Sequence, residues 1–404
     1  MSDPDRRAVV TGMGVVCATG LDAPQFFASL QAGRVGIGPI ASIPTGRFGT
    51  RIAGEVHGLD PAAHFEPRRL ALMDRGSQLA VIAAREAMGQ AGLAAGPADG
   101  AVVMAGAIGL HTFDQSYDQL YGHNASRVHP FTVPRIMPSA PASHVSMEFG
   151  LRGPCYAVTT ACASSNHAIG QAMHMIRSGM VDFVLTGGSD APITVGFMKG
   201  WEALRVLSPD ACRPFSRNRS GLVVGEGAGM FVLESAGRAR ARGATVLAEV
   251  AGLGMSADGA ELTAPSADGA ARAMQAALAD AACAPGEIGY VNAHGTGTRL
   301  NDRTEVAALR AVFGRHMERL MVSSTKSMIG HCMTAGAAVE LAATVMALRD
   351  GVVPPTAGFT EADPDCAIDC VPNEARVAAV EAAMSNAFAF GGLNAVLVAR
   401  RWAA

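Results

Sequence analysis

A single cysteine joins a β-prone run to a helix-like run in Val158-Thr-Thr-Ala-Cys162-Ala-Ser-Ser-Asn166-His-Ala-Ile-Gly170. If a helix begins at about Cys162, its unpaired N–H groups and its dipole favour the reactive thiolate. A backbone N–H would also face developing negative charge. The small flanking residues permit a tight strand-to-helix turn. The segment predicts either a nucleophile or a buried, inert cysteine, which is the commoner fate of an intracellular cysteine.

The composition is that of a globular protein with a large core. The 404 residues are 49% hydrophobic and 17% charged, and this length suggests two domains or two halves. The net charge of −3 gives no whole-chain reason to expect a nucleic acid or an anionic membrane surface. The eight cysteines have no zinc-site spacing. No signal-length core begins the chain, and no apolar stretch reaches the roughly 18 residues of a membrane span. We therefore expect a reduced, cytoplasmic protein without a metal.

Strand-like and helix-like segments alternate along the chain in two series. The first includes a predicted helix over 67–92, a strand over 101–108, the helix near Cys162 and a strand over 182–189. The second begins near residue 245 and has predicted helices over 268–281, 301–313 and 334–349. This alternation predicts an α/β fold with substantially parallel sheets. The boundary is expected near Glu249, which divides the chain into 1–249 and 250–404.

Residues 111–150 carry aromatics, four histidines and several prolines. This composition predicts an insertion that wraps around the core and not a regular layer.

Two glycine-rich segments raise the alternative of a phosphate or dinucleotide site. The turn at Gly12 and Gly14 lacks a third glycine and a downstream ribose-binding acid, and no Gly-Lys-Ser/Thr follows residues 221–229. Both segments are interpreted as structural turns and close-packing positions.

Two histidine motifs follow predicted strands. They are Asn292-Ala-His294-Gly-Thr296-Gly-Thr298 and Ser323-Ser-Thr-Lys326-Ser-Met-Ile-Gly-His331. Loops at the carboxyl ends of strands are where α/β folds gather their sites, so two histidines placed this way favour a functional site over isolated structural roles. Lys326 is one of only two lysines. Ser323-x-x-Lys326 also matches penicillin-recognising enzymes, but their companion motifs are absent.

The segment Phe388-Ala-Phe390-Gly391-Gly392, near the end of the chain, predicts a mobile loop or hinge, because glycines follow aromatic residues. Together with the cysteine and both histidine motifs, it resembles the β-ketoacyl-acyl-carrier-protein synthases over essentially the whole chain. Within that family the chain resembles the elongating KAS II class and, more narrowly, the nodulation-type ketosynthases. The segments that carry the narrower resemblance are Leu151–Pro154, Gly187–Pro192, Trp201–Val206, Cys212–Ser216 and Met384–Phe388.

The resemblance implies a thiolase fold, with duplicated halves in a five-layered α-β-α-β-α core, and usually a homodimer. It implies decarboxylating Claisen condensation with malonyl-acyl carrier protein, in fatty acid or specialised acyl or polyketide biosynthesis. The substrates would be carried on phosphopantetheine, and the chain itself would need no cofactor or metal. The partners would be acyl carrier protein and a second chain, either identical or a ketosynthase-like chain-length factor.

The resemblance also implies a role for each site residue. Cys162 would carry the acyl group, and the neutral imidazoles of His294 and His331 would stabilise the enolate. Lys326 with Glu340 would orient the second histidine loop, and the backbone N–H groups of Cys162 and Phe390 would donate hydrogen bonds to the oxyanion. Phe390 would gate the acyl pocket, and Ile108 would line it. Thr296 and Thr298 would bind pantetheine, and the carrier protein would dock on Arg68, Arg69, Arg127 and Arg205.

Two departures from the family pattern bear on specificity. Ala389 replaces a glycine of the usual Phe-Gly-Phe-Gly-Gly, and alanine resists the positive φ that glycine accepts. Ser139-Ala-Pro141 stands where elongating enzymes often carry larger residues. The gate motion and the usual chain-length preference are therefore in question.

Three rival activities fit the residue pattern less well. A non-decarboxylating thiolase typically replaces one histidine motif with a second cysteine site, whereas this chain keeps both histidine motifs. A chain-length factor usually lacks the nucleophile. A cysteine hydrolase would need a water-activating dyad, which is not evident.

Overall fold

The computed structural model describes residues 3–93 and 95–403. The main feature is a ten-stranded mixed sheet, accompanied by two short two-stranded sheets. The strands are β1 (Ala8–Cys17), β2 (Gly38–Pro39), β3 (Ile52–Ala53), β4 (Ala101–Gly106), β5 (Cys155–Val158), β6 (Phe183–Asp190), β7 (Gly227–Ser235), β8 (Ala248–Ala257), β9 (Ile288–Asn292), β10 (Met321–Ser323), β11 (Val352–Val353), β12 (Arg376–Val377), β13 (Ala382–Ala389) and β14 (Leu393–Arg400).

Helices separate most of these strands. They are α1 (Ala23–Gln31), α2 (Pro67–Leu70), α3 (Arg75–Gln90), α4 (Leu110–Tyr117), α5 (Thr132–Ile136), α6 (Ala140–Phe149), α7 (Ser164–Arg177), α8 (Val195–Ala203), α9 (Ala236–Ala241), α10 (Ala267–Asp280), α11 (Arg299–Phe313), α12 (Lys326–Ile329) and α13 (Gly336–Asp350). Among the described residues, no helix combines the length and apolar character needed to cross a membrane.

The large sheet consists of two halves with the same topology. Its order is β10-β9-β13-β14-β8 followed by β1-β7-β6-β4-β5, so each half places its first strand at the centre of the sheet. In each half the first strand pairs antiparallel with the fifth, and the second strand lies parallel to both the third and the fourth. Among the described residues, the strand pairing between the halves consists of three residue pairs of β1 and β8. The predicted α/β fold with duplicated halves is confirmed.

The helices form three layers around the two halves. Helices α3 and α6 pack on the first half, and α10 and α11 lie over the second. Helices α7 and α13 contact strands of both halves and therefore form the middle layer. Every residue of α13 from Gly336 to Leu348 is buried, as expected for a helix that is apolar all round. The predicted boundary between residues 249 and 250 falls inside β8 and stays a prediction.

Two predicted segments differ from the structure. The helix predicted over 67–92 is broken, because Asp74 caps a new helix by accepting a hydrogen bond from the Gly76 N–H. The segment 111–150 is not purely a wrapping insertion, because its last helix, α6, packs against α3 and β4. The apolar side chains of Val145 and Phe149 are buried in that contact and make α6 part of an outer layer.

Candidate active site

A strained turn presents Cys162 just before the middle-layer helix α7. Helix α7 begins at Ser164, two residues after the expected start, and Ala161 has a left-handed φ of 48°. That conformation is unfavourable for alanine. The Ser164 hydroxyl stabilises the turn by accepting from the Thr160 N–H at 2.7 Å and donating to the Ala161 carbonyl at 2.6 Å. The half-buried Cys162 is thereby held at the N-terminus of α7.

The thiol of Cys162 lies beside His331. Its Sγ is 3.1 Å from Nε2 of that ring. Burial raises the pKa of the Cys162 thiol to about 12, although the nearby Lys326 charge lowers it. With this pKa the resting group near pH 7 is a thiol, and the thiolate-favouring effect of the helix terminus stays a prediction.

Two buried imidazoles meet at this cysteine. His294 follows β9, His331 follows β10, and these strands are parallel neighbours. The ring centroids are 5.4 Å apart in an edge-to-face arrangement. Burial and the charge of Lys326 hold the pKa of both histidines well below its usual value. Both rings are therefore neutral near pH 7 and can donate hydrogen bonds without carrying a charge.

A buried ion pair stands behind the histidines. Lys326, the first residue of α12, contacts the carboxylate of Glu340 on α13, and each side chain is 1% exposed. Burial raises the pKa of Glu340 to about 7, and the ammonium group opposes that rise. The predicted pair of Lys326 and Glu340 is thus brought together next to the site.

Glu305 on α11 was missed by the sequence analysis. Its carboxylate accepts from the backbone N–H groups of His294 and Gly295, each at 2.8 Å, and from Nδ2 of Asn386 at 3.0 Å. It therefore fixes the first histidine loop. One signal was available, because Glu305 falls beside Val306 and Leu309 on the apolar face of the predicted helix over 301–313.

A cavity of about 270 Å³ opens onto Cys162, His294 and His331. Thr296 and Thr298 line it with their hydroxyl oxygens 2.9 Å apart. Leu262 and Leu300 are among its apolar lining residues. The cavity can accommodate a narrow chain with an apolar flank and a few hydrogen-bonding groups.

The turn after β13 places Phe390 over this cavity. Its ring stacks on Trp201 with centroids 5.6 Å apart, and 37% of the residue is exposed. Positive φ angles of 85° and 68° fall on Gly391 and Gly392. Ala389 stays in β13 without a positive φ, so the alanine found there is not strained in this conformation. The stacking of Trp201 on Phe390 was not predicted from the sequence.

The turn is hydrogen-bonded to a neighbouring loop. The Gly391 N–H donates to the Leu262 carbonyl at 2.7 Å, and the Asp258 N–H donates to the Gly392 carbonyl at 2.9 Å. A movement of Phe390 that displaces this turn must therefore break or carry along these contacts.

The other predicted site residues do not line the main cavity. Ile108 is 46% exposed and lines a separate, smaller cavity. Arg68, Arg127 and Arg205 are exposed, whereas Arg69 pairs with Glu148. Arg205 stands between two residues that line the main cavity, Leu204 and Val206. Within residues 3–93 and 95–403, no three His, Cys, Asp or Glu side chains are arranged to hold a metal ion.

Comparison with known proteins identifies the family. Residues 5–239 match the model of the beta-ketoacyl synthase N-terminal domain, and residues 247–360 match that of the C-terminal domain. Nodulation protein E of Rhizobium sp. (strain N33) is 50% identical over 401 residues, which cover 98% of this chain and 100% of the relative. 3-Oxoacyl-[acyl-carrier-protein] synthase 2 of Staphylococcus aureus (strain COL) is 39% identical over 411 residues, which cover 99% of each chain.

A solved structure, the ishigamide ketosynthase/chain length factor, superposes with a TM-score of 0.95 at 38% identity. The match covers 98% of this chain and 100% of that one. The resemblance inferred from the cysteine and histidine motifs is confirmed: the chain belongs to the beta-ketoacyl synthase family.

Proposed function

We propose that this chain condenses an acyl group held on Cys162 with malonyl-acyl carrier protein, releasing CO₂ and forming 3-oxoacyl-acyl carrier protein. One observation carries the proposal: a thiol and two neutral imidazoles converge at the end of one cavity. The name of the Staphylococcus aureus relative, 3-oxoacyl-[acyl-carrier-protein] synthase 2, and the two family models support the same reaction class.

The first half-reaction is acyl transfer to Cys162. Its sulfur forms a bond to the acyl carbonyl carbon while the carbon–sulfur bond to pantetheine breaks. The thiol proton leaves Cys162 and ends on the released pantetheine sulfur, and Nε2 of His331 lies next to this transfer at 3.1 Å. The backbone N–H groups of Cys162 and Phe390 are the proposed donors to the oxyanion, and both residues line the cavity.

The second half-reaction is decarboxylation followed by carbon–carbon bond formation. Loss of CO₂ leaves an electron pair on the malonyl α-carbon, and the thioester oxygen gains enolate charge. Neutral His294 and His331 would donate hydrogen bonds to that oxygen. The carbanion then attacks the acyl carbonyl carbon, the carbon–sulfur bond to Cys162 breaks, and the released thiolate takes up one proton from water to restore the thiol. Lys326 and Glu340 would position the second histidine loop.

The cavity fits the arm of an acyl carrier protein. The paired hydroxyls of Thr296 and Thr298 would bind the amide groups of pantetheine, and the apolar flank would contact its methylene and methyl groups. Carrier proteins are acidic, so the exposed Arg68, Arg127 and Arg205 are proposed to dock the carrier. Arg69 would contribute less, because it is already paired with Glu148. No cofactor on the chain itself is required by these steps.

A second chain is proposed to cover the free edge of the sheet at β5. Cys155 and Tyr156 of this edge strand are exposed, and apolar side chains at Tyr121, Val133 and Met147 are exposed by 65% or more. The covering chain is proposed to be a second copy of this chain. A dimer in light-scattering measurements on the chain alone would support this, whereas a monomer would favour a different, ketosynthase-like partner such as a chain-length factor. A reducing, cytoplasmic location is part of the proposal, since the eight cysteines are unpaired.

The proposed function is tested by incubating the chain with acyl-acyl carrier protein and measuring its intact mass. We expect one acyl adduct on the unmodified chain and on Cys283→Ala, a matched control that removes another free cysteine, one that lines neither cavity. Cys162→Ala should show none. Acylation that persists in Cys162→Ala would contradict the assignment.

A further inference from the structure

A small chamber lies between the N-terminus of α3, the segment after β4 and the C-terminal end of β6, and five polar side chains line it. Its free volume is about 10 Å³, the space of one water-sized group. We call this cavity the polar chamber. Its lining residues include Asp74, Ser77, Ile108, Arg135, Ser189 and Asp190.

Several buried polar atoms of the polar chamber lack partners. The hydroxyls of Ser77 and Ser189 belong to residues that are 1% exposed, and neither has a hydrogen-bond partner among the described residues. The buried Nε of Arg135 also has none in that part of the chain. Leaving such groups unsatisfied is costly, so a guest that can hydrogen-bond is expected there.

The polar chamber is linked to the nucleophile through a short chain of contacts. Asp190 accepts from the backbone N–H and the hydroxyl of Thr334 at 3.1 and 2.9 Å. The Thr334 carbonyl accepts in turn from the hydroxyl of Ser165, three residues after Cys162 on α7. These contacts connect Asp190 of the polar chamber to the first turn of α7, which begins two residues after Cys162.

We propose that the polar chamber is a subsite for one hydroxyl group of the acyl chain. The inference rests on the proposed function, including the proposal that Ile108 lines the acyl pocket. A hydroxyl both donates and accepts, which matches the serine hydroxyls, the guanidinium and the two carboxylates. A carboxylate would meet two acidic side chains, Asp74 and Asp190, against the single guanidinium of Arg135, and a methyl end would leave every unpartnered group unsatisfied.

The test is a competition between acyl thioesters of the carrier protein. Equal amounts of ω-hydroxyacyl and unsubstituted acyl carriers of the same length compete for Cys162, and intact mass gives the adduct ratio. Every even length from butanoyl to hexadecanoyl is used, so that the depth of the polar chamber is scanned. A parallel series carries ω-carboxylates.

We expect the hydroxylated chain to be favoured at least about threefold at the length that reaches the polar chamber, the value of one net hydrogen bond. In Ser77→Ala/Ser189→Ala the ratio should fall below one, and the two single variants should lie between. Ser29→Ala, which removes an equally buried serine on α1, should keep the ratio found for the unmodified chain.

Three results would overturn the proposal: a methyl end favoured at every length, a carboxylate favoured over the hydroxyl, or a hydroxyl preference that survives the double substitution. Adducts on Cys162 without a hydroxyl preference contradict only the polar chamber. The absence of any adduct on Cys162 contradicts the proposed function itself.

Discussion

Removing the charge of Glu340 tests how the buried ion pair serves the site. Lys326 and Glu340 are each 1% exposed, so Glu340→Gln leaves an unpaired ammonium group in the core. Breaking a buried pair from one side costs about 3–5 kcal/mol. Lys326→Met should cost less, because burial already raises the pKa of Glu340 to about 7 and the lone carboxyl can remain protonated. Denaturant unfolding of each variant measures these differences.

The double variant Lys326→Met/Glu340→Gln separates stability from function. With both charges gone, its free energy of unfolding should return to within about 2 kcal/mol of the unmodified chain. Activity should not return in the same way, because the Lys326 charge lowers the pKa of His294 and His331. Without that charge both pKa values rise, the protonated fraction grows at a given pH, and the acid limb of decarboxylation moves to higher pH.

Two outcomes would refute this reasoning. A double variant as unstable as Glu340→Gln would show that the cost does not come from the unpaired ammonium. An unchanged pH profile in both Lys326→Met and the double variant would show that the charge does not act on the histidines.

Three further predictions concern the thiol, the imidazoles and the gate. The rate at which iodoacetamide labels Cys162, measured by peptide mass spectrometry, should rise about tenfold per pH unit from about pH 7 to about pH 10. The reason is that the thiolate fraction increases with pH below a pKa of about 12. A rate that levels off below about pH 9 would contradict the effect of burial on the pKa of Cys162. His294→Ala and His331→Ala should each slow CO₂ release about 10²–10³-fold by removing an enolate donor, whereas the exposed control His123→Ala should not; equal rates in all three would contradict their role. Trp201→Ala removes a stacking contact with Phe390 worth about 0.5–1.5 kcal/mol, so acylation by carrier-bound thioesters should become about two- to twelve-fold faster. Trp402→Ala, which removes the chain's other tryptophan and its contact with Arg7, is the control, and an unchanged rate in Trp201→Ala would contradict the gate.

The sequence predicted those features that depend on local pattern. Alternating strands and helices indicated the two series, and glycine-flanked histidines after strands indicated that His294 and His331 belong to loops at one edge of the sheet. The break before Arg75 was missed because the apolar spacing continues through residues 71–74, and the capping role of Asp74 depends on its rotamer.

Long-range contacts account for the rest. The hydrogen bonds of Glu305 to the first histidine loop and the stacking of Trp201 on Phe390 join residues that are far apart in sequence or on different elements. The pKa of Cys162 depends on how deeply the folded chain buries it, which a helix-terminus argument alone does not supply. The assignment of Ile108 to the acyl pocket came from resemblance and stays a proposal.

A single-turnover experiment tests the central claim most directly. The chain is first acylated on Cys162, freed of excess donor and mixed with malonyl-acyl carrier protein, and CO₂, the acyl adduct and the carrier-bound product are followed together. We predict that one CO₂ appears for each acyl group that leaves Cys162 and that the product is 3-oxoacyl-acyl carrier protein. Loss of the adduct to water, or transfer to a thioester acceptor without release of CO₂, would contradict the account.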